Sequence, residues 1–392
     1  MRKTIRNMWP LLLLGFLVNT AYSVMWPLTT IYLHNDLHLN LVTSGWILAA
    51  YSGCNVLGGY LGGVLGDRYS LSRVGQIALI ALIVDATVGL FWNDLFGYPV
   101  VLIIFGLLTG VMLTLITTMT ARLSHADSRL FNLLYIFINV GLVAGTASIG
   151  FLFRQSLRPI FSLLLVCYAI ALVLWVRYAR IFDVPVVQAA QATTVVRRAP
   201  LIRLKRVTLI VLFFSLFLMW ATYAQWMSNV SVYIQQMGMG IKVYSYLWVY
   251  NGLLLIVVQT AMMRLNTVRG LPWQIMGGLL AIGSSFLLLA LATNVQWLFI
   301  AMTLLTVGEA VYVPSVPALI NAHTSGNEGK YQGLVNAFSS LGKALGPVMG
   351  GWIIDQSLGY PTLFGTCMGL DIFLLLAVLL GMLPLLKAEN LS

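Results

Sequence analysis

Long apolar runs separated by short polar breaks repeat along almost the whole chain. Twelve reach helical length, near residues 8–32, 42–65, 74–93, 99–121, 130–153, 159–177, 207–234, 243–263, 272–292, 295–320, 331–355 and 361–383. A helix needs about 20 apolar residues to cross the roughly 30 Å hydrocarbon core of a bilayer. Runs of this continuity exclude the alternating pattern of a membrane β-barrel. The pattern predicts an all-α membrane protein with 12 transmembrane helices. Its longest polar interruption, around Ala179–Arg206, includes VQAAQATTVVRRAP. That segment divides the chain into a six-helix bundle over 1–178, a basic cytoplasmic linker over 179–206 and a second six-helix bundle over 207–392.

Composition names the solvent. Apolar residues make up 60% of the chain and charged residues 8%, with a mean hydropathy of +0.91. A soluble chain carries about a quarter charged residues, so this surface has to face lipid. The net charge of +11 does not point to nucleic acid, because of where the charges fall. With the amino terminus inside and twelve spans, Arg154, Arg158 and Lys242 lie outside and Lys343 lies within a span. The rest of the 22 Lys and Arg fall on the cytoplasmic side. This is the positive-inside pattern, and it places both termini in the cytoplasm and the protein in an inner, cytoplasmic membrane. The linker's Arg197, Arg198, Arg203, Lys205 and Arg206 either set topology alone or also meet anionic lipid headgroups.

The opening MRKTIRNMWPLLLLGFLVNTAYS has the outline of a signal peptide. Its apolar run continues through VMWPLTTIYL, beyond an ordinary signal core, and reads as an uncleaved first span. Cys54, Cys167 and Cys367 sit inside expected spans, an odd, membrane-buried set that offers neither a disulfide framework nor metal spacing. No GxxxxGK[ST], HExxH, CxxC or GxSxG motif occurs. The chain reads as neither an enzyme nor an ATPase and implies no cofactor or metal. An active carrier of this kind draws on an ion or substrate gradient.

Two glycine patterns indicate close helix packing. In the eleventh span Gly342, Gly346, Pro347, Gly350 and Gly351 spell GxxxGPxxGG. In the fifth, Gly141, Gly145 and Gly150 keep the spacing, with Thr146 in place of the proline. Glycines four apart lie on one helix face and admit a second backbone, and Pro347 can bend its helix. Equivalent motifs at equivalent places in the two halves support parallel repeats with pseudo-two-fold symmetry. The second span ends in GGYLGGVLGDR, with Gly58, Gly62 and Gly66 in one stripe and Asp67 at the cytoplasmic boundary. Asp67 there either caps a neighbouring helix, pairs with Arg68 or Arg73, or is a solvated loop charge.

On these motifs the chain resembles the major facilitator superfamily. GGVLGDRYSLSR is similar to that family's signature between spans two and three, commonly written GxLaDRxGRR. Gly63, Leu65, Asp67 and Arg68 match, while Ser70, Leu71 and Ser72 replace the glycine and basic residues and Arg73 stands one step beyond. GxxxGPxxGG resembles the motif of the family's drug/proton antiporters, where it lies chiefly in span five; here the fuller copy is in span eleven. The tenth span, TVGEAVYVPSVPALI, resembles that of LmrP-type multidrug transporters, with Gly308, Glu309, Val311, Tyr312, Pro314, Ser315 and Val316 in register. The resemblance implies a cavity lined by spans one, four, seven and ten, and a role for Glu309 in cation recognition and proton coupling. The fifth-span acid of that group is absent, with Leu134 in its place.

Asp85, Glu309, Lys343 and Asp371 fall near the middle of spans. Intramembrane charge is rare and normally faces a protein interior or a watery cavity. A carboxyl group removed from water is destabilised in its charged form and can exchange protons near neutral pH. Glu309 leads as the proton-coupling residue, with Asp85 and Asp371 as accessory or structural acids. Lys343 is the ion-pair candidate for Glu309 or Asp371. Thr306 and Tyr312 stand one turn from Glu309, and Pro314 and Pro317 interrupt the donors beyond it. In span seven Trp220, Tyr223 and Met227 share a face, and Gln225, Trp226 and Asn229 add polar handles. Aromatic faces attract lipophilic cations, so Trp220, Tyr223, Trp226, Tyr312 and Trp26 join Glu309 as candidate cavity residues. An interfacial aromatic belt is the alternative. The asparagines, Asn251 among them, read as interhelical ties.

These observations together lead to the expectation of a monomeric, proton-driven multidrug antiporter exporting hydrophobic or cationic small molecules by alternating access. The glycine-rich spans and Asp67–Arg68 are its expected conformational elements. A narrow-specificity carrier of a sugar, amino acid or peptide is the first alternative, and a non-transporting membrane sensor the second.

Overall fold

The computed structural model describes residues 2–124, 128–153, 156–179, 206–262, 270–323 and 328–389. Among these residues every regular element is helical. In chain order they are α1 (Arg2–Ile31), α2 (Leu41–Arg68), α3 (Leu71–Phe91), α4 (Gly97–Ser124), α5 (Ser128–Leu152) and α6 (Arg158–Arg177). There follow α7 (Arg206–Met227), α8 (Asn229–Gln236), α9 (Ile241–Met262), α10 (Leu271–Ala290), α11 (Val295–His323), α12 (Glu328–Ile353) and α13 (Gly359–Glu389). α7 and α8 together make the seventh expected run. They part at Ser228, where the hydroxyls of Ser228 and Ser231 bond back to the carbonyls of Ala224 and Ser228 and compete with the helical ladder.

Among the described residues ten spans are long and apolar enough to cross a membrane by length and composition. The two long helices outside that set are α2 and α12, which carry the glycine stripes. Glycine, serine and lysine at packed positions lower their hydropathy without shortening them. Most of the expected linker, residues 180–205, lies outside the described residues.

The chain forms two compact units. Of the described residues, the first takes those within 1–39, 47–195 and 240–249, and the second those within 40–46, 196–239 and 250–392. Within the first, α1 packs on α5 and α3 packs on α6 and α4. Gly141 and Gly145 of α5 face the backbone of α1 at Phe16 and Thr20, where a side chain would not fit. Gly75 of α3 accommodates the indole of Trp175 on α6, whose Nε1 donates to the Ser72 carbonyl at 2.8 Å. The serine at position 70 caps α3, its Oγ accepting from the Arg73 amide at 3.4 Å. That gives a physical role to the residue that departs from the expected signature.

The second unit repeats the scheme. α7 packs on α12, α10 packs on α11 and α13, and α13 also meets α7. Gly342 and Gly346 of α12 lie against α7, facing the carbonyls of Phe217 and Ala221. Gly350 admits the side chains of Gln225 and Asn229, and Gly351 abuts Leu41. The stretch from the end of α12 into α13 closes with Gly359 at φ 70°, a left-handed conformation that glycine adopts freely.

Candidate functional site

α11 carries Glu309 near its middle and continues through Pro314 and Pro317 without a break. The sequence led to the expectation of a helix interrupted there. Each proline removes one donor, and the packing of α11 on α10 holds the rest, with Gly278 and Gly308 bringing the two backbones together. The Ser315 hydroxyl ties the same region to the Val311 carbonyl at 2.6 Å and to Gln274 of α10 at 2.8 Å.

Glu309 is half-buried and receives donors from two other helices. Tyr223 of α7 donates its hydroxyl to Oε2 at 2.8 Å, and Asn251 of α9 donates Nδ2 to the same oxygen at 3.3 Å. Asn251 Nδ2 also reaches Thr306 Oγ1 at 2.8 Å, and Thr306 donates to the Met302 carbonyl at 2.7 Å. Both bonds to Glu309 fall on Oε2. Among the described residues Oε1 takes none. Neutral donors of this kind support a carboxylate where water is scarce and do not cancel its charge.

Lys343 of α12 belongs to the same cluster by a different contact. Its Nζ lies 3.7 Å from the centroid of the Trp220 ring, a cation–π geometry. The Trp220 and Tyr223 rings meet edge to face at 5.1 Å. Lys343 and Glu309 interact electrostatically across this group, while the lysine's close contact is the aromatic face and the carboxylate's are Tyr223 and Asn251. Gly342 makes the approach possible, since a Cβ there would stand 2.9 Å from the Trp220 Cβ.

The other expected cavity residues lie elsewhere. Tyr312 is fully buried and its hydroxyl bonds Ser215 at 2.7 Å; it does not join Glu309. Trp226 is fully buried with its ring 6.4 Å from that of Phe286. Gln225 is turned to α12, donating to the Gly346 carbonyl at 2.7 Å and accepting from Asn229 at 2.7 Å. Trp26 is buried in the first unit, edge-on to Tyr51 at 5.9 Å. Asp85 is buried on α3, its Oδ2 without a hydrogen-bond partner, within electrostatic reach of Tyr168 on α6. Asp371 is buried on α13 and accepts from Thr222 at 3.1 Å through Oδ1. Leu134, where an acid was looked for, is buried in the first unit, its methyl filling the space above Gly15 of α1. The Asp67 side chain lies outside the described residues, and Arg68 beside it is exposed. Among the described residues no cluster of three or more His, Cys, Asp or Glu could hold a metal, and the three cysteines are free.

Sequence reasoning named Tyr223 for its ring; the structure uses its hydroxyl. It treated Asn251 as an interhelical tie, which it is, and missed that the tie ends on Glu309.

Comparison with known proteins places this geometry in context. The Major Facilitator Superfamily model matches residues 11–287 and 251–390. The uncharacterized MFS-type transporter YttB of Bacillus subtilis (strain 168) is 30% identical over 352 residues, 88% of each chain. A second uncharacterized MFS-type transporter of that organism, YqjV, is 23% identical over 357 residues, 88% of this chain and 86% of its own. Among solved structures, a POT family transporter in complex with 5-aminolevulinic acid superposes with a TM-score of 0.80 at 15% identity, over 97% of this chain and 96% of that one. The nucleoside transporter NupG superposes with a TM-score of 0.76 at 14% identity, over 96% and 99%. At these identities the structures speak for the fold.

Proposed function

Because the chain belongs to the Major Facilitator Superfamily, a family of multi-pass membrane transporters rather than enzymes, we propose that Glu309 is its exchange site, in a proton-driven antiporter exporting hydrophobic, cationic small molecules. The observation that carries this reading is the Glu309 carboxylate, held at mid-span by Tyr223 and Asn251 through one oxygen. The other oxygen serves a proton or a cationic substrate, one at a time. Proton entry neutralises the site and releases the cation, and departure of the proton restores the charge that recruits the next one. Apolar substrate surface is accommodated by the aromatic pair Trp220 and Tyr223 beside the carboxylate. In this reading the chain works as a monomer in a cytoplasmic membrane, with both termini inside, powered by the proton gradient.

The test is Glu309→Gln in proteoliposomes. Glutamine keeps an oxygen for Tyr223 and Asn251 and removes the exchangeable proton. Uphill accumulation of a lipophilic cation driven by an imposed pH difference should vanish. If the variant accumulates substrate as the wild type does, Glu309 is not the exchange site.

A second reading is favoured by Lys343. The ammonium on the Trp220 face and the carboxylate of Glu309 together offer a matched pair for a zwitterion, such as an amino acid or a short peptide. Lys343→Met separates the two readings. Export of a cation survives or rises when a competing charge is removed, and carriage of a zwitterion is lost.

A further inference from the structure

Asp371 lies at the centre of the α13 span in the second unit and is 1% exposed. Thr222 of α7 donates to Oδ1 at 3.1 Å, and Oδ2 has no hydrogen-bond partner. Its electrostatic neighbours are Tyr312 and Cys367, neither of them cationic, and the Tyr312 hydroxyl is engaged by Ser215. A carboxylate oxygen left without a donor in an apolar interior is costly. Nothing in the Glu309 cluster relieves that cost.

Beside Asp371, α10 and α13 part to leave a crevice of about 100 Å³. Leu280, Leu287, Met368 and Ile372 supply its apolar walls, and Ser284 and Asp371 are polar wall residues. Gly283 makes the room, since a Cβ there would stand 3.1 Å from that of Asp371. Leu280, Leu287 and Ile372 are 55%, 45% and 44% exposed. Exposed apolar side chains within a span face hydrocarbon, so the crevice has a lipid-side mouth and a buried acid in its wall.

We propose that this crevice is a lateral binding site for a primary alkylammonium ion drawn from the hydrocarbon. The ammonium donates to Asp371 Oδ2, and the alkyl chain lies along Leu280, Leu287 and Ile372. The apolar walls favour a chain over a polar body. This site is separate from the Glu309 cluster, since neither Tyr223, Asn251 nor Lys343 lines it.

The experiment uses the full chain in neutral phosphatidylcholine nanodiscs and two photoreactive probes. One is a dodecylamine with a terminal diazirine, and the other is the alcohol of the same length. Photolysis and peptide mapping should place the amine on the segments 271–290 and 359–383. The alcohol should label them about tenfold less, the ratio expected of one charge-assisted bond. Asp371→Asn, which keeps an acceptor for Thr222, should bring amine labelling down to the alcohol's level. Glu309→Gln should leave it unchanged, so failure of the exchange-site reading is distinguishable from failure of this one. Equal labelling of the wild type by amine and alcohol overturns the proposal without recourse to any variant, as does undiminished labelling of Asp371→Asn.

Discussion

Gly342→Ala adds one methyl group at the point where α12 meets α7. Its Cβ would face the Phe217 carbonyl and stand 2.9 Å from the Trp220 Cβ. Both obstacles belong to or adjoin backbone, so no flexible tip can swing aside and the two helices have to separate. Overpacking of this kind costs about 1–3 kcal/mol. Replacing glycine by alanine in a helix returns about 0.4–1 kcal/mol through the unfolded chain. The balance is a net loss of about 1–2 kcal/mol. For a body the size of the second unit that is a fall of about 2–8 °C in the unfolding midpoint. Gly369→Ala is the matched control, because nothing lies within 4 Å of a Cβ at that position on α13. It should hold the wild-type midpoint or rise by a degree or two, about what the entropic gain supplies. Both proteins would be purified in one detergent and followed by intrinsic fluorescence on heating. Because Trp220 carries Lys343 on its ring, Gly342→Ala should also slow transport while Gly369→Ala does not. Two midpoints that move together, in either direction, refute the packing argument.

Three further outcomes follow from the same geometry. Tyr312→Phe removes the bond to Ser215 and should cost about 1 kcal/mol of stability in a denaturation series, with transport retained. Asn251→Leu strips a donor from both Thr306 and Glu309 and should depress initial transport rates about tenfold or more, in keeping with about 1.5–3 kcal/mol for a bond to a charged group. Gly75→Ala meets the Trp175 ring and should lower the unfolding midpoint by a few degrees, about what 1–3 kcal/mol of overpacking produces.

The helical class was legible because lipid imposes it, and most spans are long apolar runs. The glycine spacing shared by α5 and α12 was legible in the letters, and both motifs pack against another helix. Glu309 was legible because an acid in an apolar run stands out. Its partners were not. Residues on a helix advance by about 100° each, so Thr306 and Tyr312 flank Glu309 on opposite sides, about 60° away from it. Only the packing decides which flank turns to which neighbour. Here Thr306 meets Asn251 of α9, and Tyr312 meets Ser215 of α7. Span seven showed the same ambiguity. Trp226 and Gln225 read as polar handles beside the face of Trp220, Tyr223 and Met227, yet they are committed to the interior and to α12. The contact of Lys343 with the Trp220 ring, which accompanies its electrostatic interaction with Glu309, was hidden as well, because charge complementarity alone ignores the ring that Gly342 brings near.

The glycine-rich helices carry a consequence for how the protein is made. α2 and α12 are the two long helices that fall outside the apolar set, so contacts with other helices count for more in them than in the other spans. Each is shaped for a partner. Gly58 and Gly62 of α2 fit the backbone of α4 at Leu107 and Val111, and Gly342 and Gly346 of α12 fit α7. α7 emerges from the ribosome well before α12, whereas α4 emerges after α2. The nascent α12 meets a waiting dock, and the nascent α2 has to be held until its own is synthesised. Chain order alone therefore leaves the glycine face of α2 without its partner until α4 is made, whereas α12 is made with its partner already present.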